Sequence, residues 1–240
     1  MLSKLQITKS KFQFRNLDSF KSAFPWLLIL GLMILNVDSV SAHVIPYDLK
    51  KITRVDVALI YLKLGFTHIV PYGYDHILFV VGLFLLNPKL KAVITQATAF
   101  TVAHSITLGL AMSGHIKPLP SVVEPIIAIS IMFVAVENML ITELKPWRIL
   151  VVFLFGLIHG LGFASALSEL GLPTNDFFSS LIMFNIGVEL GQISIILFMY
   201  FAIAKWFSKE KWYRSRIVLP LSTVIAVIGF YWTIQRIFYT

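Results

Sequence analysis

From residue 71 onward, long apolar runs alternate with short polar breaks, and each run has the length of a bilayer crossing. Six runs predict membrane-spanning helices at about 71–87, 92–113, 120–141, 147–168, 177–204 and 215–235. The fold class that follows is all-α, a polytopic membrane helix bundle. Ahead of these runs, RVDVALIYLKLGF (54–66) mixes charge with apolar residues at helical spacing and predicts an amphipathic helix lying on the outer membrane surface. Residues 43–70 therefore form an outer-face segment, and 71–240 the six-helix transmembrane domain. Pro71-Tyr72-Gly73-Tyr74 before the first run predicts a broken or re-entrant start to that span.

Residues 1–22 are basic and polar, Ala23 to Val37 are mostly apolar, and Ser39-Val40-Ser41-Ala42 offers small residues at a cleavage position. This predicts a signal peptide over 1–42, cut after Ala42; uncut, the same segment is a seventh, first membrane helix. Cleavage would leave His43 at the N-terminus, where amine and imidazole together offer two nitrogen donors.

Composition supports a membrane protein: 58% of residues are hydrophobic, 13% are charged, and mean hydropathy is +0.83. The net charge of +8 needs no nucleic acid, because the basic residues gather where orientation signals belong. Lys89 and Lys91, Lys145 and Arg148, and Lys205, Lys209, Lys211, Arg214 and Arg216 lie in three alternate loops, whereas 168–176 carries Glu169 and Asp176 with no base. By the positive-inside rule those three loops face the cytoplasm and the mature N-terminus lies outside. The chain has no cysteine, which removes disulfides and thiolate metal ligands.

Against this apolar background the ionisable residues stand out. His104, His159, Glu137 and Glu189 interrupt long hydrophobic runs, and a charge at the bilayer centre costs roughly 3 kcal/mol or more, so such groups face a protein interior and find partners there. At about 1.5 Å per residue, His104 and His159 both lie roughly 18 Å from the cytoplasmic ends of their spans. Asn185, Glu189 and Gln192 share one helical face, which can meet the two histidines. Nearer the outer surface, His68, Asp75, His76 and Glu124 form a second, shallower group. Imidazole and carboxylate without thiolate suit nickel, zinc, copper or iron in the divalent state. The candidate metal residues are accordingly His68, Asp75, His76, Glu124, His104, His159, Asn185 and Glu189.

A weak internal repeat aligns Phe100-Thr-Val-Ala-His104 with Phe155-Gly-Leu-Ile-His159, and the spans that follow align Val136-Glu137 with Val188-Glu189. It predicts that spans two and three correspond to spans four and five as parallel repeats.

Several of these stretches carry a resemblance. GYDHILFVVGLFLL (73–86), TAFTVAHSITLGLA (98–111), VEPIIAISIMFVAVEN (123–138), FGLIHGLGFASAL (155–167) and FNIGVELGQ (184–192) resemble the HupE/UreJ family of bacterial membrane proteins, in its type 2 branch. The resemblance implies a multi-pass protein of the bacterial inner membrane. It also implies nickel, since members related to hydrogenase and urease accessory proteins are regarded as nickel permeases. Their pattern sets a histidine, a short spacer and Asp-His in the first mature span, with a later His-Gly. Here His68 precedes Asp75-His76 by a spacer one residue longer, and the later motif is His159-Gly160.

Three functions compete on this reading. The first is a membrane permease, or a metal-binding accessory protein, for a divalent transition metal with nickel favoured: His68, Asp75, His76 and Glu124 capture the ion outside, and His104, His159, Asn185 and Glu189 pass it through the midplane. The second is an intramembrane metal-dependent hydrolase acting on a lipid or membrane peptide, in which imidazoles hold the metal and Asp75 or Glu189 activates water. Convergence of His76, His104 and His159 within about 2–2.5 Å of one ion, beside a lateral opening to lipid, favours this second reading, and a dispersed ladder of ligands favours transport. The third is a sensor or accessory subunit whose polar cluster is structural. Lipid bilayer and metal ion are the expected partners, and lipid-facing helices are also compatible with a homo-oligomer.

Overall fold

The structure is a computed structural model that describes residues 53–170 and 176–239, without the side chains of 165, 166 and 168–170. The expected signal peptide and the His43 donor pair lie outside the described residues. Those residues form helices joined by short loops, with no strand among them. In chain order these are α1 (Arg54–Ile69), α2 (Tyr74–Leu86), α3 (Leu90–Met112), α4 (Pro120–Leu140), α5 (Arg148–Leu170), α6 (Phe177–Met199) and α7 (Leu219–Phe238). A π-helical stretch, Tyr200–Ala204, carries α6 on to Phe207, and another, Arg214–Val218, leads into α7.

Local sequence accounts for the helix ends. Thr53 caps α1 in a reciprocal capping box, its hydroxyl taking the amide of Asp56 at 3.2 Å while the Asp56 carboxylate takes the amide of Thr53 at 3.2 Å. Pro71, which has no N–H and clashes with a preceding turn, lies just past the end of α1. Pro120 opens α4 at a position where a missing N–H costs nothing.

Four helical segments, Leu90–Met112, Pro120–Leu140, Phe177–Phe207 and Arg214–Phe238, are long and apolar enough to cross a membrane, and α1 with α2 makes a fifth if the bent pair counts as one span. The α1–α2 pair revises the expected first span. At 13 residues α2 is about 20 Å long, too short for a hydrocarbon core of about 30 Å. It is joined at a bend of 67° to α1. Nor does α1 stand apart as a surface helix. It lies alongside α6 in parallel, so closely that a Cβ on Gly65 would strike the carbonyl oxygen of Phe184 and one on Gly187 that of Leu62. Arg54 faces Asp176 at 3.5 Å where this pair of helices begins. The physical reason is the small-residue seam: glycine on both helices lets the backbones touch, and dispersion then holds them.

Helices α3 and α5 also pack in parallel. Gly156 abuts the backbone of Phe100, and Gly160 abuts the carbonyl of His104 and the hydroxyl of Thr107. The Phe-x-x-x-His segments of the internal repeat thus lie side by side. The following spans differ: Glu137 on α4 meets an arginine, whereas Glu189 on α6 meets two threonines. Helices α4 and α7 run antiparallel, with Asn138 near Ser222 (3.4 Å) at one end and Arg236 near the Glu124 carbonyl (3.2 Å) at the other.

The interior between these pairs is filled by Phe79, Phe84, Phe100, Phe184, Leu83 and Ile69, each at most 1% exposed. Large apolar side chains also cover the outside, among them Ile106, Phe133, Ile182, Phe198, Val227 and Phe230. A bundle that is hydrophobic within and without fits lipid as solvent.

An intramembrane histidine centre

Four histidines from four helices meet inside the bundle. His68 lies in the last turn of α1, His76 in the first turn of α2, His104 in α3 and His159 in α5. Ligand nitrogens of His68, His76 and His104 all lie within 4.8 Å of one another. His159 borders this trio, its ring centroid 5.1 Å from that of His76. By helix rise, His104 stands about 12 Å from the C-terminal end of α3 and about 21 Å from its N-terminal end. His104 and His159 lie at matching depth, as their positions along their spans predict, because α3 and α5 pack in near register.

The bend between α1 and α2 brings His68 in. The four-residue break turns the chain by 67°, and the His68 and His76 rings on either side of it lie 4.7 Å apart. The longer spacer therefore does not remove His68 from the centre. Aromatic rings wall the site: Phe163 is 3.8 Å from the His68 ring by centroids, and Phe100 is 5.6 Å from His76 and 4.9 Å from His159.

At each histidine one nitrogen is buried and has no hydrogen-bond partner: Nε2 of His68, His76 and His104, and Nδ1 of His159. An unpaired buried polar atom costs about 1–3 kcal/mol, so four gathered together call for an explanation. A metal cation is one, since it satisfies several imidazole lone pairs at once. On this observation the residues fit a divalent transition metal.

The carboxylates and amide named by sequence are elsewhere engaged. Asp75, beside His76, is held by Arg236 of α7, whose Nη2 lies 3.0 Å and 3.1 Å from its two oxygens. Glu189 accepts from Thr98 at 2.6 Å and from Thr101 at 2.5 Å, both on α3. Asn185 donates its Nδ2 to the Leu181 carbonyl at 2.8 Å, which leaves Oδ1 facing His104 Nδ1 at 3.2 Å. That oxygen can only accept, so His104 carries its proton on Nδ1 and keeps Nε2 as a lone pair. Asn185 is thereby placed to orient the His104 ring. Glu124 sits in the second turn of α4, partly exposed, and its carbonyl takes a hydrogen bond from Arg236. The eight expected residues thus divide into three that converge, His159 beside them, and four whose side chains are engaged or placed around them.

Sequence reasoning passed over three residues. Arg236 was visible as a charge near the C-terminal end of the last run, where an antiparallel partner can bring it level with Asp75 at the start of the first, and depth matching of opposite charges is the signal that finds it. Ser130 on α4 contacts His159 Nε2 at 2.9 Å, and one serine in an apolar run announces nothing. Arg148, read as an exposed loop charge, is 1% exposed and pairs with Glu137 at 3.2 Å, while its Nη2 reaches Asn138 Oδ1 at 3.2 Å. Asn138 in turn donates to the Gly82 carbonyl at 2.8 Å, so this network ties α2, α4 and α5 together.

Apolar helices enclosing a cluster of imidazoles define a multi-pass membrane protein with an internal site suited to a metal ion. Residues 47–236 match the family described as HupE / UreJ protein, which is most of the chain. The chain belongs to that family, which is associated with metal uptake or accessory function. No curated protein and no solved structure matches it.

Proposed function

We propose that this chain is a bacterial inner-membrane permease for a divalent transition metal, with Ni²⁺ as the favoured cargo. The observation that supports a metal ion as cargo is the cluster of His68, His76 and His104, with His159 beside them, each with a buried unpartnered nitrogen inside a lipid-facing bundle; what favours passage over chemistry is that Asp75 and Glu189 are both engaged elsewhere. Nitrogen donors without thiolate favour nickel, zinc or copper over magnesium and calcium. Among the described residues the histidines gather at one enclosed centre, not a ladder of sites at successive depths, so in this reading the ion is held there and the helices around it open to either side. In this reading the bent α1–α2 pair and α5 join the four long spans, giving six crossings with the mature N-terminus outside.

The test is uptake of radioactive nickel into proteoliposomes. Wild-type protein is expected to accumulate the ion above empty vesicles, and a His104→Ala, His159→Ala double variant is not. Equal uptake by both overturns the proposal, whereas stoichiometric binding without uptake leaves the metal-binding accessory role.

A second reading, the intramembrane hydrolase, draws support from the same convergence. It needs a carboxylate free to activate water, and the two proposed for that task, Asp75 and Glu189, have both oxygens engaged by Arg236 and by the two threonines. Transport is therefore the better supported of the two.

A further inference from the structure

We infer that Ser130 is the positioning residue that fixes the tautomer of His159, so that this imidazole offers Nδ1 to the centre while His104 offers Nε2. Ser130 and His159 are 0% and 1% exposed, so no bulk water competes for their hydrogen bonds. The serine hydroxyl has one proton and two neighbours: the Ile127 carbonyl at 2.7 Å and His159 Nε2 at 2.9 Å. A carbonyl oxygen only accepts, whereas an imidazole nitrogen can donate or accept.

Two arrangements are open, and hydrogen-bond counting separates them. With the proton on Nε2, His159 donates to Ser130 and Ser130 donates to Ile127, which makes two bonds. With the proton on Nδ1, Ser130 must turn to Nε2, the bond to Ile127 is lost, and the Nδ1–H becomes a buried donor without an acceptor, since no partner stands at that atom. The first arrangement wins by one hydrogen bond, since Nδ1 has no protein partner in either. It leaves the unpartnered Nδ1 as a lone pair, in an imidazole whose neighbour His76 lies 5.1 Å away by ring centroids.

Asn185 performs the same task for His104 from the other side, with the ring inverted. The centre is thus asymmetric: one histidine is held through Nδ1 and presents Nε2, and the other is held through Nε2 and presents Nδ1. The repeated Phe-x-x-x-His segments place the two rings at matching depth, and their unlike partners turn them to unlike nitrogens.

The inference rests on the metal reading for its purpose, but its geometry can be measured without metal. The chain has six histidines, few enough for the ring nitrogens of uniformly labelled protein in lipid nanodiscs to be separated by NMR. His159 is assigned by its disappearance in a His159→Gln variant. In metal-free wild-type protein the expected result is a protonated Nε2 and a bare Nδ1 at His159. Ser130→Ala should give a mixed or inverted tautomer and weaken Ni²⁺ binding by about 10–100-fold, the range found when a group that orients a metal-ligating histidine is lost. Ser130→Thr, which keeps the hydroxyl, should restore both. A protonated Nδ1 in the wild type, or a Ser130→Ala spectrum and affinity unchanged from wild type, overturns the assignment. Wild-type protein that shows the expected tautomer yet binds no Ni²⁺ overturns the metal reading and upholds the role of Ser130 in setting the tautomer.

Discussion

Replacing Glu137 by glutamine should destabilise the bundle, because it strips the buried Arg148 of its counter-charge. Arg148 and Glu137 are 1% and 6% exposed, and their charged atoms approach to 3.2 Å. At that distance and an effective dielectric of about 20, Coulomb attraction is about 5 kcal/mol. The Glu137 oxygens and the Arg148 Nε and Nη1 atoms have no aligned hydrogen bonds, so the pair is held by charge more than by directed bonding. Glutamine keeps the shape and removes the counter-charge, leaving a guanidinium buried with only the Asn138 contact. Breaking such a pair costs about 3–5 kcal/mol. For a chain of this size that corresponds to a drop in midpoint of about 6–20 °C. Thermal unfolding in detergent, followed by helical circular dichroism and by monodispersity, measures it. The companion Glu137→Gln, Arg148→Gln double variant removes both charges and should recover most of the loss. The reasoning is refuted if the single variant melts within a degree or two of wild type, or if the double variant is no more stable than the single.

Other outcomes follow from the same contacts. Gly160→Val should abolish the folded protein or its metal binding, because a side chain there meets the backbone of His104 and the Thr107 hydroxyl; near-normal expression and Ni²⁺ titration would contradict the α3–α5 packing. Asp75→Asn should change stability by less than about 1 kcal/mol, because its pair with Arg236 is partly exposed. It should also leave Ni²⁺ affinity within a few-fold of wild type, and a loss of binding by isothermal titration would make Asp75 a ligand after all. A Thr98→Val, Thr101→Val variant strips both donors from Glu189, each bond to a carboxylate being worth about 1.5–3 kcal/mol, and should lower the melting midpoint without altering the histidine centre, as metal stoichiometry will report.

Sequence by itself determined the solvent and the ingredients. Apolar runs of bilayer length, basic loops on one side and the missing cysteine follow from composition and order, because insertion energy is nearly a sum over residues in a segment. The same additive logic singled out His104 and His159, since any polar group at that depth must find a partner, and helix rise gave their shared level. What each group meets depends on contacts between segments far apart in the chain, and no sum over one segment contains them. Only the packing of α1 against α6 and the bend before α2 bring His68 to His76. Only the arrival of α7 gives Asp75 to Arg236, and only the α3–α6 seam gives Glu189 to two threonines, so the partners of these carboxylates come from helices distant in sequence. Arg148 shows the limit most plainly: by position it is a loop charge for orientation, and by tertiary contact it is a buried cation whose partner, Glu137, lies on another helix.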